Sequence, residues 1–419
     1  MSEDDDGTTR VPTRREYVKY GGAVLGGGLL AGCAGNAGSE STPTGTGAAS
    51  TAARATGTTT DAETTAETET ARTDVPYDVE VEPYGTVTFE EIPETYVALG
   101  SGAWPDIGFA FGREPVAMST SYYPLQYYEA LPGVSFDVGS VIDLGDVSAL
   151  DPEQFFEIGA DVHVVDKQLV ASYSGWDAAD FERIESNVGP FAGSYIRGEW
   201  SGKALGSQFS FPYYTLPAAI TLVGEVFRER ARAAAWNDQL ETFTREVAEA
   251  ASGSSPDLGV VYSGSNPTEG TFYIASPTAA GVGNYPYRKL GASNAFAELT
   301  DEETYEIDYE GLLEMDPEYI CVDSAISGIP PEEFESQFVD PMEEHPIGSE
   351  LRAVKNDNVV RGCGRHQGPI VAHFETEAMA KQLYPDAFGE FDPEAWPDVP
   401  ESERLFDRER ISGVINGEF

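Results

Sequence analysis

The chain has 419 residues, enough for two or three domains and a large core. Its 25 Lys and Arg stand against 72 Asp and Glu, a formal net charge of −47, while 41% of its residues are hydrophobic. That field excludes a nucleic-acid partner, which needs clustered cations to displace counterions. The hydrophobic content excludes an acidic polymer disordered throughout.

Lysine is scarce, 6 against 19 arginines, and the carboxylates are spread along the whole chain. Molar salt screens such self-repulsion to a few ångströms. The composition therefore fits a halophilic protein and resembles that of secreted haloarchaeal proteins.

In chain order, the first segment reads as an address. Arg14 and Arg15, in Thr13-Arg14-Arg15-Glu16-Tyr17-Val18-Lys19, form a twin-arginine export motif. The apolar run at 21–31 is too short and too glycine-rich to span a bilayer. It ends in Leu30-Ala31-Gly32-Cys33, which resembles a lipobox, so Cys33 is expected to carry the lipid. Residues 1–32 are thus a twin-arginine lipoprotein signal. Residues 33–74 are almost all Thr, Ala, Gly, Ser and Glu, without apolar periodicity, and predict a disordered stalk.

From 75 onward, short apolar runs alternate with helical patterns, which predicts βαβ units and parallel sheets. An N-terminal lobe at 75–228 holds strands at 95–99, 115–118 and 162–165, with a helix at 152–158 opened by Asp151 and Pro152. A helix at 216–227 follows. Between 229 and 251, Ala233, Trp236, Leu240, Phe243, Val247 and Ala250 recur at helical spacing along one side. That is a rod of about 34 Å, and the segment 229–255 predicts an interlobe helix stopped by Gly253-Ser254-Ser255-Pro256. A second α/β lobe at 256–385 holds strands at 258–262 and 319–322 and a helix at 309–315, and 386–419 is a C-terminal tail. The expected fold is α/β, two Rossmann-like lobes joined by a single long α-helix, with the ligand cleft between them.

Five phrases in order carry a family resemblance over about residues 86–385. They are Tyr96-Val97-Ala98-Leu99-Gly100-Ser101 with Phe109-Ala110-Phe111-Gly112, then Leu150-Asp151-Pro152 through Ala160-Asp161-Val162. Arg232-Ala233, Lys289-Leu290-Gly291-Ala292-Ser293-Asn294 and Ala353-Val354-Lys355-Asn356-Asp357-Asn358 complete them. The chain resembles the class III periplasmic-binding-fold proteins that serve ABC importers of ferric siderophores, haem and cobalamin. The resemblance implies a monomeric extracytoplasmic binding protein, lipid-anchored on the outer face of the cell membrane. It would capture an iron(III)-siderophore-type chelate and deliver it to a permease and its ATPase. Cobalamin or haem on the same scaffold, molybdate or tungstate, a bare metal ion, or a hydrolase are the alternatives. At the position where the family places a Glu that docks an Arg of the permease stands Asp106, which keeps the charge on a shorter arm. Compensation of a helix dipole is its other reading.

In such a fold, loops after strands meet the ligand. Those loops are rich in aromatics: Trp104, Tyr122, Tyr123, Tyr127, Tyr128, Tyr173, Trp176, Tyr262 and Tyr273. Flat rings suit a broad chelate, and Trp104, Tyr122, Tyr123, Trp176 and Tyr273 are the candidate contacts. Arg365 and His366, near Arg361, place cations on a cleft loop, where an Arg fork matches oxyanions; pairing with a local carboxylate is the alternative. Cys321 and Cys363 lie at or after strands and either pair outside the cell or stay buried thiols. Only four His occur, so three convergent His ligands for a metal are not expected. No nucleophile elbow, zincin, P-loop or Cys-x-x-Cys motif is present, so neither catalytic residues nor a cofactor are expected.

Overall fold

The computed structural model describes residues 75–99, 103–119, 124–196, 214–251, 253–300 and 306–419. The export arginines Arg14 and Arg15, the lipid-accepting Cys33, the stalk, and Tyr122 and Tyr123 lie outside the described residues.

An antiparallel hairpin comes first, β1 (Tyr77–Val81) with β2 (Gly85–Phe89). Residues of β1 alternate buried and exposed, the period of a sheet with one covered face. Tyr77 stacks on Phe89, ring centroids 5.3 Å apart.

The first lobe is built on β3 (Tyr96–Leu99), β4 (Ala117–Met118), β5 (Ile142–Asp143), β6 (Val162–Asp166) and β7 (Phe191–Gly193), all parallel, in the order β5-β4-β3-β6-β7. Every residue of β3 and β6 is buried, as expected of parallel strands covered on both faces. The chain starts in the middle, works outward on one side, then crosses to the other. The order therefore reverses between β3 and β6, which opens a crevice at their C-terminal ends. Helix α1 (Trp104–Ala110) follows β3, and α2 (Leu125–Glu129) follows β4. Helix α3 (Pro152–Ile158) leads into β6 and starts where the sequence predicts, with Asp151 accepting from the Glu153 N–H at 2.9 Å. Gln154 closes the capping box by accepting from the Asp151 N–H, also at 2.9 Å.

Helices α4 (Leu216–Val226) and α5 (Arg230–Ala250) form the middle of the chain. The expected stripe on α5 is buried at Ala233, Trp236, Leu240, Phe243 and Val247, with Thr244 added, while Ala250 is exposed. Its N-terminal half is tied to the first lobe: the Trp236 indole donates to the Ala110 carbonyl at 2.7 Å, and Glu229 bridges Arg113 and Arg232 at 2.7 and 3.0 Å.

The second lobe holds β8 (Asp257–Val261), β9 (Phe272–Ala275), β10 (Ser293–Asn294), β11 (Glu306–Ile307), β12 (Tyr319–Val322) and β13 (Val359–Arg361). The order is β11-β9-β8-β12-β13, with β10 beside β8; β8, β10, β12 and β13 run parallel and β9 and β11 make antiparallel pairs. Helix α6 (Tyr285–Lys289) lies between β9 and β10 in sequence, and α7 (Ala325–Gly328) follows β12.

Helix α8 (Pro369–Leu383) follows β13, and 14 of its 15 residues are buried. It packs against α1, α2, α5 and α6, so it lies across the lobe junction beside α5. The largest core cluster accordingly runs through both lobes, from Trp104 and Val164 to Trp236, Cys321 and Phe374. The tail at 386–419 is part of this body. Its helix α9 (Arg408–Asn416) buries Ile411, Val414 and Ile415 and packs on α1 and α5, which returns the chain to the first lobe.

Cys321 and Cys363 are free buried thiols, which corrects the pairing alternative. Cys321 lies opposite Val360 in the β12–β13 register, and Cys363 is three residues farther on. That offset is roughly 10 Å along a strand, beyond the reach of a disulfide. No described helix is long and apolar enough to cross a membrane.

Candidate ligand cleft

Three contacts bring the C-terminal ends of the two sheets together. Asp106, on α1 after β3, accepts from the Ile370 and Val371 N–H groups of α8 at 3.0 and 3.3 Å. Gln126, on α2 after β4, donates to the Ser327 carbonyl of α7 at 3.4 Å. The Val282 N–H, beyond β9, donates to the Ile196 carbonyl, beyond β7, at 2.9 Å. Ligands of α/β sheets bind outside such strand ends, so the candidate cleft lies here.

On the second-lobe side one cluster stands out. Tyr262, Asp323 and Arg365 follow the neighbouring strands β8, β12 and β13. The Arg365 guanidinium lies 4.0 Å from the Tyr262 ring centroid, and its Nε donates to Asp323 Oδ2 at 3.1 Å. Burial alone would lower the Arg365 pKa, but Asp323 and Tyr262 raise it, so the cation is held charged. One fifth of its side chain remains exposed, enough to meet an acceptor. Tyr273 joins the cluster through the backbone: its carbonyl accepts from the Tyr262 N–H at 2.7 Å, and its own N–H donates to Ser265 Oγ at 3.0 Å. His366 is half-buried beside Arg365.

The loop that carries Arg365 is held from within. Glu375 Oε2 accepts from the Gly364 N–H at 2.7 Å and from the Gln367 side chain, while Oε1 accepts from Ser327 Oγ at 3.1 Å. The Cys363 N–H donates to Tyr287 Oη of α6 at 2.9 Å. Burial pushes Glu375 up to about 7, against the bonds from Gln367, Gly364 and Ser327 that favour its anion.

Other candidates take different places. Trp104 is buried and donates its indole N–H to the Ser194 carbonyl at 3.0 Å. Trp176 is buried between Phe155 and Phe181 and donates to the Leu150 carbonyl at 3.1 Å. Both are core residues: Trp104 opens α1 and Trp176 follows the helix Lys167–Ser174, where a ring can pack against the sheet layers as readily as face a cleft. Tyr127 is buried too, stacked on Phe374 at 4.7 Å.

Asp106 is wholly buried and presents no surface on which a permease arginine could dock, which corrects that expectation. Besides α8 it accepts from Tyr128 Oη at 2.7 Å, and burial pushes it up to about 7 against these three bonds. The other three histidines are structural. His163 and His373 are buried and held down to about 4, while His345 stacks on Tyr309 with ring centroids 3.7 Å apart. Among the described residues no group of three or more His, Cys, Asp or Glu is placed to hold a metal.

Sequence reasoning missed Asp323 and Glu375. A carboxylate directly after the apolar strand Tyr319–Val322 is a readable signal, since strand ends of parallel sheets carry sites. Glu375 carried no such signal inside a helix.

A family model described as a periplasmic binding protein matches residues 201–363. What it describes binds rather than catalyses. No curated protein matches the chain. Among solved structures, the siderophore-binding protein BauB, bound to ferric iron and two acinetobactin molecules, is 15% identical with a TM-score of 0.53, over 73% of this chain and 98% of its own. PiuA, an iron-uptake ABC transporter substrate-binding protein from Streptococcus pneumoniae, is 16% identical with a TM-score of 0.51, over 73% and 97%. CeuE from Helicobacter pylori, with Ni(II) bound, is 15% identical with a TM-score of 0.50, over 78% and 98%. The chain has the class III periplasmic-binding fold. At such low identity the likeness speaks for the two-lobed scaffold alone, whose cleft is where the three cross-lobe contacts lie.

Proposed function

We propose that the chain is the extracytoplasmic substrate-binding protein of an ABC importer. It captures an iron(III)-siderophore-type chelate between its lobes and hands it to the permease and its ATPase. The observation that carries this reading is the Arg365 cluster, a partly exposed guanidinium backed by Asp323 and Tyr262 where the sheet ends meet. Carboxylate or catecholate arms give ferric chelates negative charge, and an Arg fork pairs with their oxygens. In a chain of net charge −47, a cation there offsets a field that would otherwise repel an anionic ligand. The ferric complex bound by BauB and the iron uptake named for PiuA support iron as the cargo. The twin-arginine signal, Cys33 and the 33–74 stalk would tether the protein as a monomer to the outer membrane face.

Calorimetric titration in molar salt tests the proposal, with a ferric tricatecholate, a ferric trihydroxamate, haemin and cyanocobalamin as ligands. One-to-one saturable binding of a ferric siderophore complex, released chemically unchanged, is expected. Binding of cyanocobalamin or haemin with no heat from either ferric complex would overturn the ligand assignment.

A further inference from the structure

Helix α8 begins at Pro369 with Gly368 as its N-cap, a residue that has no side chain to satisfy the first-turn N–H groups. The cap comes instead from the other lobe. Asp106 Oδ2 accepts from Ile370 and Val371, and a Cβ on Gly368 would lie 2.2 Å from that oxygen. Glycine is therefore required at 368 to admit the Asp106 carboxylate. Tyr128 of α2 fixes the other oxygen of Asp106. Upstream, Glu375 holds the Gly364 N–H and the Gln367 amide. Arg365 and His366 lie between the two groups that Glu375 holds, and Asp106 fixes the same segment just beyond, at 370 and 371.

We infer that Asp106 and Glu375 are positioning residues for Arg365. They pin the two ends of segment 364–371, one from the first lobe and one from α8, so that lobe separation loosens the Arg365 loop and weakens its grip on an anionic ligand. The inference rests on the proposed anionic chelate for its ligand part, whereas the pinning itself is a property of the ligand-free protein. A capping bond supplied across a lobe junction exists only while the lobes stay together. Arg365 presentation is thereby coupled to closure through the backbone of 364–371.

The full chain in molar salt, with Asp106→Asn, Glu375→Gln, Arg365→Ala and the Asp106→Asn/Arg365→Ala double variant, tests this in two ways. Hydrogen exchange without ligand is expected to quicken at the amides of 364–367 as well as at 370 and 371 in Asp106→Asn, with the α3 amides unchanged. Faster exchange confined to 370 and 371 overturns the coupling. In titrations with the ferric tricatecholate, Asp106→Asn is expected to cost about tenfold in affinity in the native background and under about twofold when Arg365 is already Ala. Equal losses in both backgrounds mean a merely structural role and sink the inference. If the tricatecholate does not bind the unaltered protein, the ligand reading falls and the exchange result alone decides the pinning. Tyr128→Phe removes one bond to Asp106 without a change of charge, and gives the same pattern at smaller amplitude should Asp106→Asn fail to fold.

Discussion

Gln382 closes the edge of the second sheet by bonding to Arg361 as a neighbouring strand would. Its Oε1 accepts from the Arg361 N–H and its Nε2 donates to the Arg361 carbonyl, each at 2.9 Å. Strand β13 is the last of its sheet, and β12 binds the alternate groups, as in the Gly362 N–H to Val322 carbonyl bond of 2.8 Å. One side-chain amide thus satisfies both outward backbone groups of a buried edge residue. Gln382→Ala strands them and is expected to cost about 1–3 kcal/mol. Denaturant unfolding at fixed molar salt reads it. A loss below about 0.5 kcal/mol would mean water replaces the amide at no cost.

Arg365→Ala is expected to weaken the ferric tricatecholate by about ten- to a hundredfold, since a charge-assisted bond is worth about 1.5–3 kcal/mol. A trihydroxamate complex without negative charge should lose less. Arg365→Lys restores only part, because an ammonium has neither the fork nor the flat face that stacks on Tyr262. Calorimetric affinities for both ligands check this, and equal losses for the two would remove the charge role of Arg365.

The parts legible in the sequence are those set by local chemistry. Asp151 and Pro152 mark the start of α3, and the spacing of Trp236, Leu240, Phe243 and Val247 marks the buried side of α5. Helix α8 was not legible as buried. His373, Glu375, Glu377 and Lys381 break any apolar stripe, and a helix covered on all sides has no polar face to give a period. The role of Asp106 depends on Gly368, and no local signal joins residues so far apart in sequence. Trp104 and Trp176 were misplaced because ring chemistry suits core and cleft alike, and only packing decides between them.

Cys321 and Cys363 should add two titratable thiols only when the protein unfolds. Both are inaccessible, and burial pushes both pKa values up, so the reactive thiolate is suppressed at neutral pH. Reaction with a disulfide reagent in native buffer and in guanidinium, and melting with and without reductant, provide the check. A melting point that drops on addition of reductant would contradict the free-thiol state.

Stability should fall as pH rises from about 5 to about 8. Asp106, Asp166, Glu375 and Glu377 are each pushed up to about 7, in every case chiefly by burial. An unfolded carboxyl titrates near 4, so between about 4 and 7 the folded chain holds protons that the unfolded chain has lost. The stabilisation from each group is full below the lower value and gone once pH passes the upper one, at up to about 1.4 kcal/mol per pH unit. His163 and His373 oppose this. Burial holds them down to about 4, so they gain stability as pH rises to about 6.5, where an unfolded His titrates. Four groups outweigh two, and above about 6.5 the carboxylates act alone. Glu377→Gln keeps an acceptor for the Leu405 N–H, bonded at 3.0 Å, and removes one titrating group, so the decline should become shallower in this variant. Melting temperatures across that range at constant molar salt decide the matter, and a native protein more stable at pH 8 than at pH 5 would show that these carboxyls titrate normally.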